Sequence, residues 1–382
     1  MKKKLLLISL CGMAGAAIGI GLNSIGVFYR PIAESLQASQ GAVSTLGTLY
    51  CLSMAVVTIF VTGNLSVRNI RRLLIGGLIL SVGGILLMAV SQQLIHLYIG
   101  ALLFGLGAST YSSSVINMLI ANNYHERIGF LTGLIFSLSG IAGALCAPFF
   151  TWIISSTSWR AAFIVMAVMV AVLLLPSLFV DFRIAEKKEQ QAEGFNYFSL
   201  AFILALGVMA LLQSLAGIPQ HFVNFSVTRG LNESTGTLMM SACMAGNIGF
   251  KLLTGIIKDR IGTIRALILT ALINLSAIVA IKVFTNDFVL IIAAFLYGSL
   301  YSLTSVLGPL LARDNFGEEN YRLTLPAVSF AGNLTNAFAI SLVGYSYDFT
   351  GSYDLALIIA LAFNLTAILC AWGSHKMTKA SR

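Results

Sequence analysis

The stretch Gly246-Asn-Ile-Gly-Phe-Lys-Leu-Leu-Thr-Gly-Ile-Ile-Lys-Asp-Arg-Ile-Gly-Thr-Ile-Arg265 is an apolar segment that contains one lysine and ends in a charged turn. Lys251 precedes Asp259 of that turn by eight residues, which is about 12 Å along a helix axis. If the turn lies at a membrane surface, the ammonium group lies in the hydrocarbon, at a cost of roughly 3 kcal/mol on insertion scales. We interpret Lys251 as a binding residue; a structural ion pair and snorkelling to the surface are the alternatives.

Composition assigns the chain to the polytopic membrane proteins. Its 382 residues are 58% hydrophobic and 10% charged, with a mean hydropathy of +0.90, whereas soluble domains carry about 25% charged residues. The net charge of +9 is explained by basic loops at one membrane surface, so no nucleic-acid partner is expected. The cysteines lie in apolar runs without the spacing of metal ligands, and we expect no metal and no cofactor.

Charged or turn-rich breaks divide the chain into twelve apolar segments, each long enough to cross a bilayer as a helix. The first run continues to about Phe28, longer than the apolar core of a signal peptide, and is predicted to be a helix. We predict an all-α fold with a six-helix half at 1–180, a polar linker at 181–198 and a second half at 199–382. The predicted spans are 5–28, 41–62, 72–91, 95–118, 129–154, 160–180, 199–224, 235–257, 264–284, 288–311, 322–345 and 353–373.

The positions of lysine and arginine predict the orientation of the spans. With both termini inside, 18 of the 23 basic residues fall on the inner side and four fall on the outer side, and Lys251 falls within a predicted span. Because cytoplasmic loops carry the excess of positive charge, we expect both termini to be cytoplasmic and the protein to lie in the cell membrane.

The two predicted halves repeat one another. The segment 63–72 lies 192 residues before the segment 255–262, and Phe104-Gly105 lies 193 residues before Tyr297-Gly298. An offset close to half the chain length indicates a duplicated six-helix unit. Duplicated halves around a binding site at the bilayer midplane are typical of secondary transporters.

The loops after the second and eighth segments resemble the loop motif of the major facilitator superfamily. That motif reads Gly-x-Leu-x-Asp-Arg-x-Gly-Arg-Arg, and the first copy here has Val67 in place of the aspartate and Ile70 in place of the second glycine. The resemblance implies a gating motif whose charges hold the cytoplasmic side closed when the outer side is open. The residues assigned to the motif are Gly63, Arg68, Arg71, Arg72, Gly255, Asp259, Arg260, Gly262 and Arg265, of which Arg265 lies one place late.

Four further segments resemble the branch that contains the oxalate:formate antiporter and the monocarboxylate transporters. They are Ser24-Ile-Gly-Val-Phe-Tyr-Arg-Pro31, the glycines from Gly129 to Gly143 with Pro148, Trp159-Arg160-x-x-Phe163, and the turn from Gly344 to Tyr353. In that branch the eighth helix carries a cation, usually arginine, that meets the substrate carboxylate, and an asparagine or aspartate precedes it by four residues. Lys251 and Asn247 occupy these two positions.

Three differences from that branch concern charge. Lysine replaces the arginine, so Lys251 offers a point charge in place of a bidentate fork. Asn23 stands where monocarboxylate carriers have a lysine, and the interior of the eleventh segment has no cation. The resemblance therefore implies one cation for one substrate carboxylate.

Other polar residues within the predicted spans are candidates for the lining of a substrate cavity, with interhelical hydrogen bonding as the alternative interpretation of each. They crowd the fourth, tenth and eleventh segments, with Asn23 in the first. The predicted substrate-binding set is Lys251, Asn247, Asn23, Tyr111, Asn117, Tyr297, Tyr301 and Asn333.

From the resemblance we expect a transporter of a small organic anion, most simply a monocarboxylate, that works by alternating access in the lipid bilayer as a monomer. Two coupling modes stay open: exchange against a counter-anion, and symport with a proton that Lys251 itself releases on the empty return. A drug or metabolite exporter of the same fold is the first alternative. A membrane enzyme or a non-transporting sensor is the second, and no nucleophile, metal site or output domain in the sequence favours it.

Overall fold

Twelve helical spans, each long and apolar enough to cross a membrane, make up the described structure. The computed structural model describes residues 2–64, 66, 69–124, 128–184 and 195–380, and all regular secondary structure in these ranges is helical. This confirms the predicted all-α fold. The spans are Lys4–Leu36, Gln40–Thr58, Ile70–Ala89, Leu94–Ile120, Leu131–Ser156, Trp159–Phe179, Leu200–Thr228, Glu233–Ile261, Thr263–Val283, Asp287–Gly317, Thr324–Thr350 and Asp354–Lys379.

More α-helices than spans are present because several spans are interrupted. The α-helices are α1 (Lys2–Ala14), α2 (Tyr29–Leu36), α3 (Gln40–Asn64), α4 (Ile70–Ala89), α5 (Leu94–Ala108), α6 (Ser113–Asn123), α7 (Ile128–Ser156), α8 (Trp159–Leu174), α9 (Leu200–Ser214), α10 (Phe222–Thr228), α11 (Glu233–Ile261), α12 (Thr263–Val283), α13 (Asp287–Tyr297), α14 (Ser299–Ser302), α15 (Gly308–Thr350) and α16 (Asp354–Ala380). Tighter 3₁₀ turns at Ile25–Phe28, Ser109–Tyr111, Leu175–Phe179 and Leu215–His221, and wider π turns at Gly15–Ile20 and Leu303–Leu307, fill most of the interruptions. Gly317 kinks α15 between the tenth and eleventh spans.

The first span is longer than predicted. The sequence places its end near Phe28, but α2 continues the span to Leu36. Arg30 and Glu34 form an ion pair at 2.8 Å, one helical turn apart, so opposite charges on one face support this polar last turn. Gln37 then ends the helix with a left-handed backbone conformation.

The chain divides into two compact units, Met1–Lys188 and Glu189–Arg382. We refer to them as the N-terminal unit and the C-terminal unit. Most of the predicted polar linker, at 185–194, lies outside the described residues. The exact domain limits at 181 and 198 therefore stay a prediction.

Each unit contains one helix crossing built on the same pattern. A Cβ atom on Gly105 of α5 would strike the backbone carbonyl of Tyr50 in α3, and a Cβ atom on Gly298 would strike the backbone carbonyl of Cys243 in α11. Both members of the second crossing lie 193 residues after those of the first. Since only glycine lets two backbones approach so closely, the repeat extends from sequence to helix packing.

The crossing of α11 generates a prediction about stability. A Cβ atom on Gly246 would strike the backbone carbonyl of Phe295, whereas one on Gly249 would meet only the ring edge of Phe295 at 3.8 Å, an ordinary contact. We expect Gly246→Ala to lower the free energy of unfolding by about 1–3 kcal/mol through overpacking. The matched Gly249→Ala should leave it unchanged or slightly higher, since alanine is the better helix former. Thermal unfolding in detergent measures both, and equal midpoints would contradict the close crossing.

Candidate functional site

The helix α11 carries Lys251 to the interior of its span. Glu233 lies in the first turn of α11, and Lys258 and Arg260 lie in the last, so the charges at each end complement the helix dipole. Gly262 ends the helix with φ of 83°, a conformation that glycine adopts without strain. Lys251 lies 18 residues after the first residue of this span and ten before its last.

No other charged side chain in the described spans lies as deep as Lys251. The nearest rival is Arg30, six residues from the end of the first span. Among the described residues, the Lys251 ammonium forms no ion pair and no hydrogen bond, and its side chain is half-buried. A cation held in the span without a counter-ion retains its full capacity to attract an anion.

Asn247 lies one helical turn before Lys251 and is 3% exposed. Its amide nitrogen is 4.0 Å from the sulfur of Met244, and its Oδ1 has no hydrogen-bond partner among the described residues. Gly298 packs against the backbone nitrogen of Asn247, so the crossing fixes this turn of α11. Residues four apart share a helix face, and this face combines an unused acceptor with an unpaired cation.

The two predicted tyrosines of the tenth span differ in what their hydroxyls do. The Tyr297 hydroxyl donates to the backbone carbonyl of Leu215 at 2.7 Å, and the side chain is fully buried. Tyr301 lies one turn later and is half-buried, and its hydroxyl has no hydrogen bond to any described residue. Tyr297 thus holds the 3₁₀ turn Leu215–His221, while the hydroxyl of Tyr301 is free to bind a ligand.

The remaining predicted residue of the C-terminal unit, Asn333, is exposed on α15 and forms no hydrogen bond with the described residues. Thr254 follows Lys251 by three residues, but its hydroxyl donates back to the carbonyl of Phe250 at 2.7 Å. In this unit the arrangement brings Asn247 and Lys251 onto one face, and it assigns the hydroxyl of Thr254 to its own helix.

The predicted residues of the N-terminal unit also differ from one another. Tyr111 is fully buried, and its hydroxyl is 2.6 Å from the hydroxyl of Ser81. Asn23 is 2% exposed, and its amide nitrogen has no partner among the described residues. Asn117 is exposed on α6 and likewise forms no hydrogen bond there. Asn23 and Asn117 therefore keep unused polar groups, whereas the hydroxyl of Tyr111 is already engaged.

The predicted gating motif lies at the helix ends. Gly63 is in α3, Arg71 and Arg72 are exposed at the start of α4, and Arg68 lies outside the described residues. In the second copy Asp259 pairs with the adjacent Lys258 at 3.3 Å. The other four residues of this copy are half-buried to exposed: Gly255 inside α11, and Arg260, Gly262 and Arg265 in or beside the turn between α11 and α12. A role of this motif in closing one side stays a prediction.

Sequence reasoning missed a buried polar chain in the C-terminal unit. Asn274 donates to the backbone carbonyl of Tyr297 at 3.0 Å, and Asn364 donates to the side-chain oxygen of Asn274 at 2.9 Å. Both asparagines are fully buried. The internal repeat could have indicated a buried polar role for Asn274. Asn274 lies 193 residues after Ser81, whose hydroxyl forms a hydrogen bond with that of Tyr111 in the N-terminal unit.

Comparison with protein families decides what kind of molecule this is. The family model described as Major Facilitator Superfamily matches residues 10–200, half of the chain. The chain belongs to the major facilitator superfamily. A crystal structure of a mutant of the nucleoside transporter NupG has the same fold, with a TM-score of 0.72 over 98% of this chain and 99% of that one, at 15% identity.

Two relatives match nearly the whole chain. Monocarboxylate transporter 13 of Rattus norvegicus is 21% identical over 356 residues, which cover 90% of this chain and 82% of the relative. The uncharacterized MFS-type transporter YwfA of Bacillus subtilis (strain 168) is 26% identical, with coverage of 95% and 92%. The protein is accordingly a multi-pass membrane transporter of the major facilitator superfamily and not an enzyme.

The contrast between the two tyrosines can be measured. Tyr297→Phe leaves the buried carbonyl of Leu215 without its donor, so we expect unfolding to become easier by about 1–3 kcal/mol. Tyr301→Phe removes a hydroxyl that bonds to no described residue, and stability should stay within about 0.5 kcal/mol of the parent. Unfolding midpoints in detergent provide the readout. A larger loss of stability for Tyr301→Phe than for Tyr297→Phe would show that the hydroxyl of Tyr301, not that of Tyr297, holds the structural hydrogen bond.

Proposed function

We propose that this transporter carries a small organic anion, most simply a monocarboxylate, across the cell membrane by alternating access. The observation that carries the proposal is the unpaired Lys251 ammonium deep in the eighth span. The name of the relative monocarboxylate transporter 13 supports the same substrate class. Lys251 neutralises the carboxylate, and Asn247 and the Tyr301 hydroxyl orient the anion.

One interior cation favours one carboxylate. A second carboxylate would lack a full counter-charge inside the span, and an uncompensated buried charge costs several kcal/mol. Asn247 Oδ1 is an acceptor, so it suits a substrate atom that carries a proton, such as a hydroxyl group. These features support monoanions over dianions.

We propose exchange of one anion for another as the coupling mode. Every acidic residue in the described spans lies within three residues of a span end. Proton-driven carriers commonly use an intramembrane carboxylate that changes charge during the cycle, and these spans place none at depth. In exchange, the site reorients with an anion bound to Lys251 in both directions. The carrier then never has to reorient with an unpaired Lys251 charge.

We also propose that both termini are cytoplasmic. The support is the distribution of basic residues, with 18 of 23 on the inner side in this orientation. The turn between α12 and α13, at 284–286, would then face outward, and the exposed end of α16 near Lys379 would face inward.

The Lys251 proposal predicts a loss of transport without a loss of fold. Lys251→Met keeps the length of the side chain and removes the charge, so counterflow of labelled lactate, pyruvate or formate in proteoliposomes should fall to the protein-free background. Lys251→Arg should retain part of the activity because the charge remains. The free energy of unfolding of Lys251→Met should be unchanged or higher, since an uncompensated cation is removed from the span.

Lys258→Met is the matched control on the same helix, because Lys258 lies three residues from the span end and already pairs with Asp259. It should transport at close to the parental rate. Normal counterflow by Lys251→Met would remove Lys251 from the site. Stronger competition by malonate or oxalate than by lactate would refute the preference for monoanions.

The orientation predicts opposite labelling of two engineered cysteines. In a background without the native cysteines, Thr285→Cys should react with a membrane-impermeant maleimide in intact cells. Lys379→Cys should react only after the membrane is opened. Both parent residues are exposed, and neither contributes a helix cap, so the substitutions should leave the fold intact. Labelling of Lys379→Cys from outside would show that the C-terminus faces outward and would contradict the proposed orientation.

A further inference from the structure

The fourth span of the N-terminal unit is broken, and a new helix begins within the span. The 3₁₀ turn Ser109–Tyr111 is followed by Ser112 in an extended conformation, with φ of −65° and ψ of 167°, and α6 starts at Ser113. This start lies 19 residues after the beginning of the span and seven before its end. A helix N-terminus therefore lies well within the apolar part of the chain.

The first turn of α6 is left without a cap. The carbonyl of Ser112 accepts the first bond of the helix, from the N–H of Ile116 at 2.9 Å. The N–H groups of Ser113, Ser114 and Val115 come before that bond and have no acceptor within α6. Ser112 is the N-cap residue, but its hydroxyl accepts no bond from these N–H groups. The aligned peptide dipoles place about half a positive charge at this end.

The polar side chains around this end are also unused. Ser112 is 3% exposed, and its hydroxyl has no hydrogen-bond partner among the described residues. Ser113, Ser114 and Asn117 are exposed and form no side-chain hydrogen bond there either. Serines elsewhere in these helices commonly donate to a carbonyl three or four residues back, as Ser109 does to Leu106 at 2.6 Å.

An exposed polar face at this depth is incompatible with lipid contact. Unsatisfied backbone groups cost several kcal/mol each in hydrocarbon, so irregular backbone at membrane depth lines a polar cavity or is covered by protein. Ser113 and Asn117 lie four residues apart and share the face that begins at the open N–H groups. The groups that converge here are mainly N–H and O–H donors with a partial positive charge. The acidic side chains of the described N-terminal unit, Glu34 and Asp181, lie at or beyond span ends.

We propose that the start of α6 is an anion-recognition site of the N-terminal unit, which binds an acceptor oxygen of a small organic anion through the N–H groups of Ser113 and Ser114 and the hydroxyl of Ser112. The assignment rests on the proposed function for the identity of the anion. The partial charge of about half a unit at this helix end recognises an oxygen atom without neutralising a full anionic charge. Small organic acids with a 2-oxo or 2-hydroxy oxygen fit this donor set, and pyruvate is the probe of choice.

Proline at Ser113 tests the backbone part of the site. Proline is tolerated at the first position of a helix, where it removes an N–H group that has no partner in the helix. The residue before a proline must be extended, and Ser112 already is. Ser113→Ala is the matched variant, because it removes the hydroxyl and keeps the N–H. We expect Ser113→Pro to raise the KM for pyruvate counterflow about tenfold, a change equivalent to about 1.4 kcal/mol, and Ser113→Ala to raise it about twofold or less.

A second variant, Ser114→Asp, places a carboxylate at the open helix end and should occupy the site from within the chain. We expect it to raise the KM for pyruvate further and to raise the unfolding midpoint of the empty protein, since an acidic group in the first turn stabilises a helix. Ser137→Ala is the control outside the site, because its hydroxyl donates to Gly133 in its own helix at 2.7 Å. The stabilisation of each purified variant by pyruvate, read as a shift in unfolding midpoint, reports binding apart from transport.

The outcomes separate this site from the Lys251 proposal. Equal KM values for Ser113→Pro and Ser113→Ala, with Ser114→Asp like the parent and Lys251→Met inactive, would overturn the α6 site and leave the proposed function standing. Transport by Lys251→Met with a raised KM for Ser113→Pro would do the reverse. Failure of the parent protein to be stabilised by or to transport pyruvate, lactate and formate would overturn both.

Discussion

The fold depends on the requirement that polar groups inside a membrane find partners within the protein. Backbone groups meet it through helices, and most serine and threonine hydroxyls meet it by donating to carbonyls of their own helix, as Thr254 does. Lys251 is the charged exception in the described spans, because its ammonium lies deep in a span and pairs with no described residue. Because an unpaired buried charge costs far more than an unpaired neutral polar group, the proposed function gives Lys251 a partner that arrives from solution.

The internal repeat shows how a duplicated unit was preserved and then altered. The glycine crossings of Gly105 on Tyr50 and of Gly298 on Cys243 have the same geometry and the same 193-residue offset. The tyrosine of each crossing, however, stands on a different helix. Tyr50 pairs with Phe104 in the N-terminal unit, whereas Cys243 and Tyr297 occupy the equivalent positions in the C-terminal unit. The tyrosine hydroxyl is thus on α3 in one unit and on α13 in the other, whereas the close contact between the glycine and the facing backbone is present in both.

The hydroxyls of Tyr50 and Tyr297 both donate to backbone carbonyls near the breaks of the first and seventh spans. Tyr50 donates to Ala17 at 2.7 Å, and Tyr297 donates to Leu215 at 2.7 Å. Ala210, which lies 193 residues after Ala17, accepts a bond from Thr335 at 2.9 Å. Hydroxyls from neighbouring helices thus stabilise irregular segments that helical bonding alone would leave short of donors. At the break of the fourth span, the hydroxyl of Ser112 has no such partner among the described residues.

The sequence by itself determined the twelve spans, the repeat and the depth of Lys251, because hydropathy, charge and spacing are properties of the local chain. It also placed Asn247 and Lys251 on one helix face, since a four-residue spacing fixes that relation. It could not tell that Tyr297 and Tyr111 already hold hydrogen bonds while Tyr301 and Asn117 hold none to the described residues. The acceptor of Tyr297 lies 82 residues away and the partner of Tyr111 lies 30 residues away. Only the tertiary structure decides which hydroxyls are already bonded, because hydrogen bonds between helices depend on packing that no local pattern records.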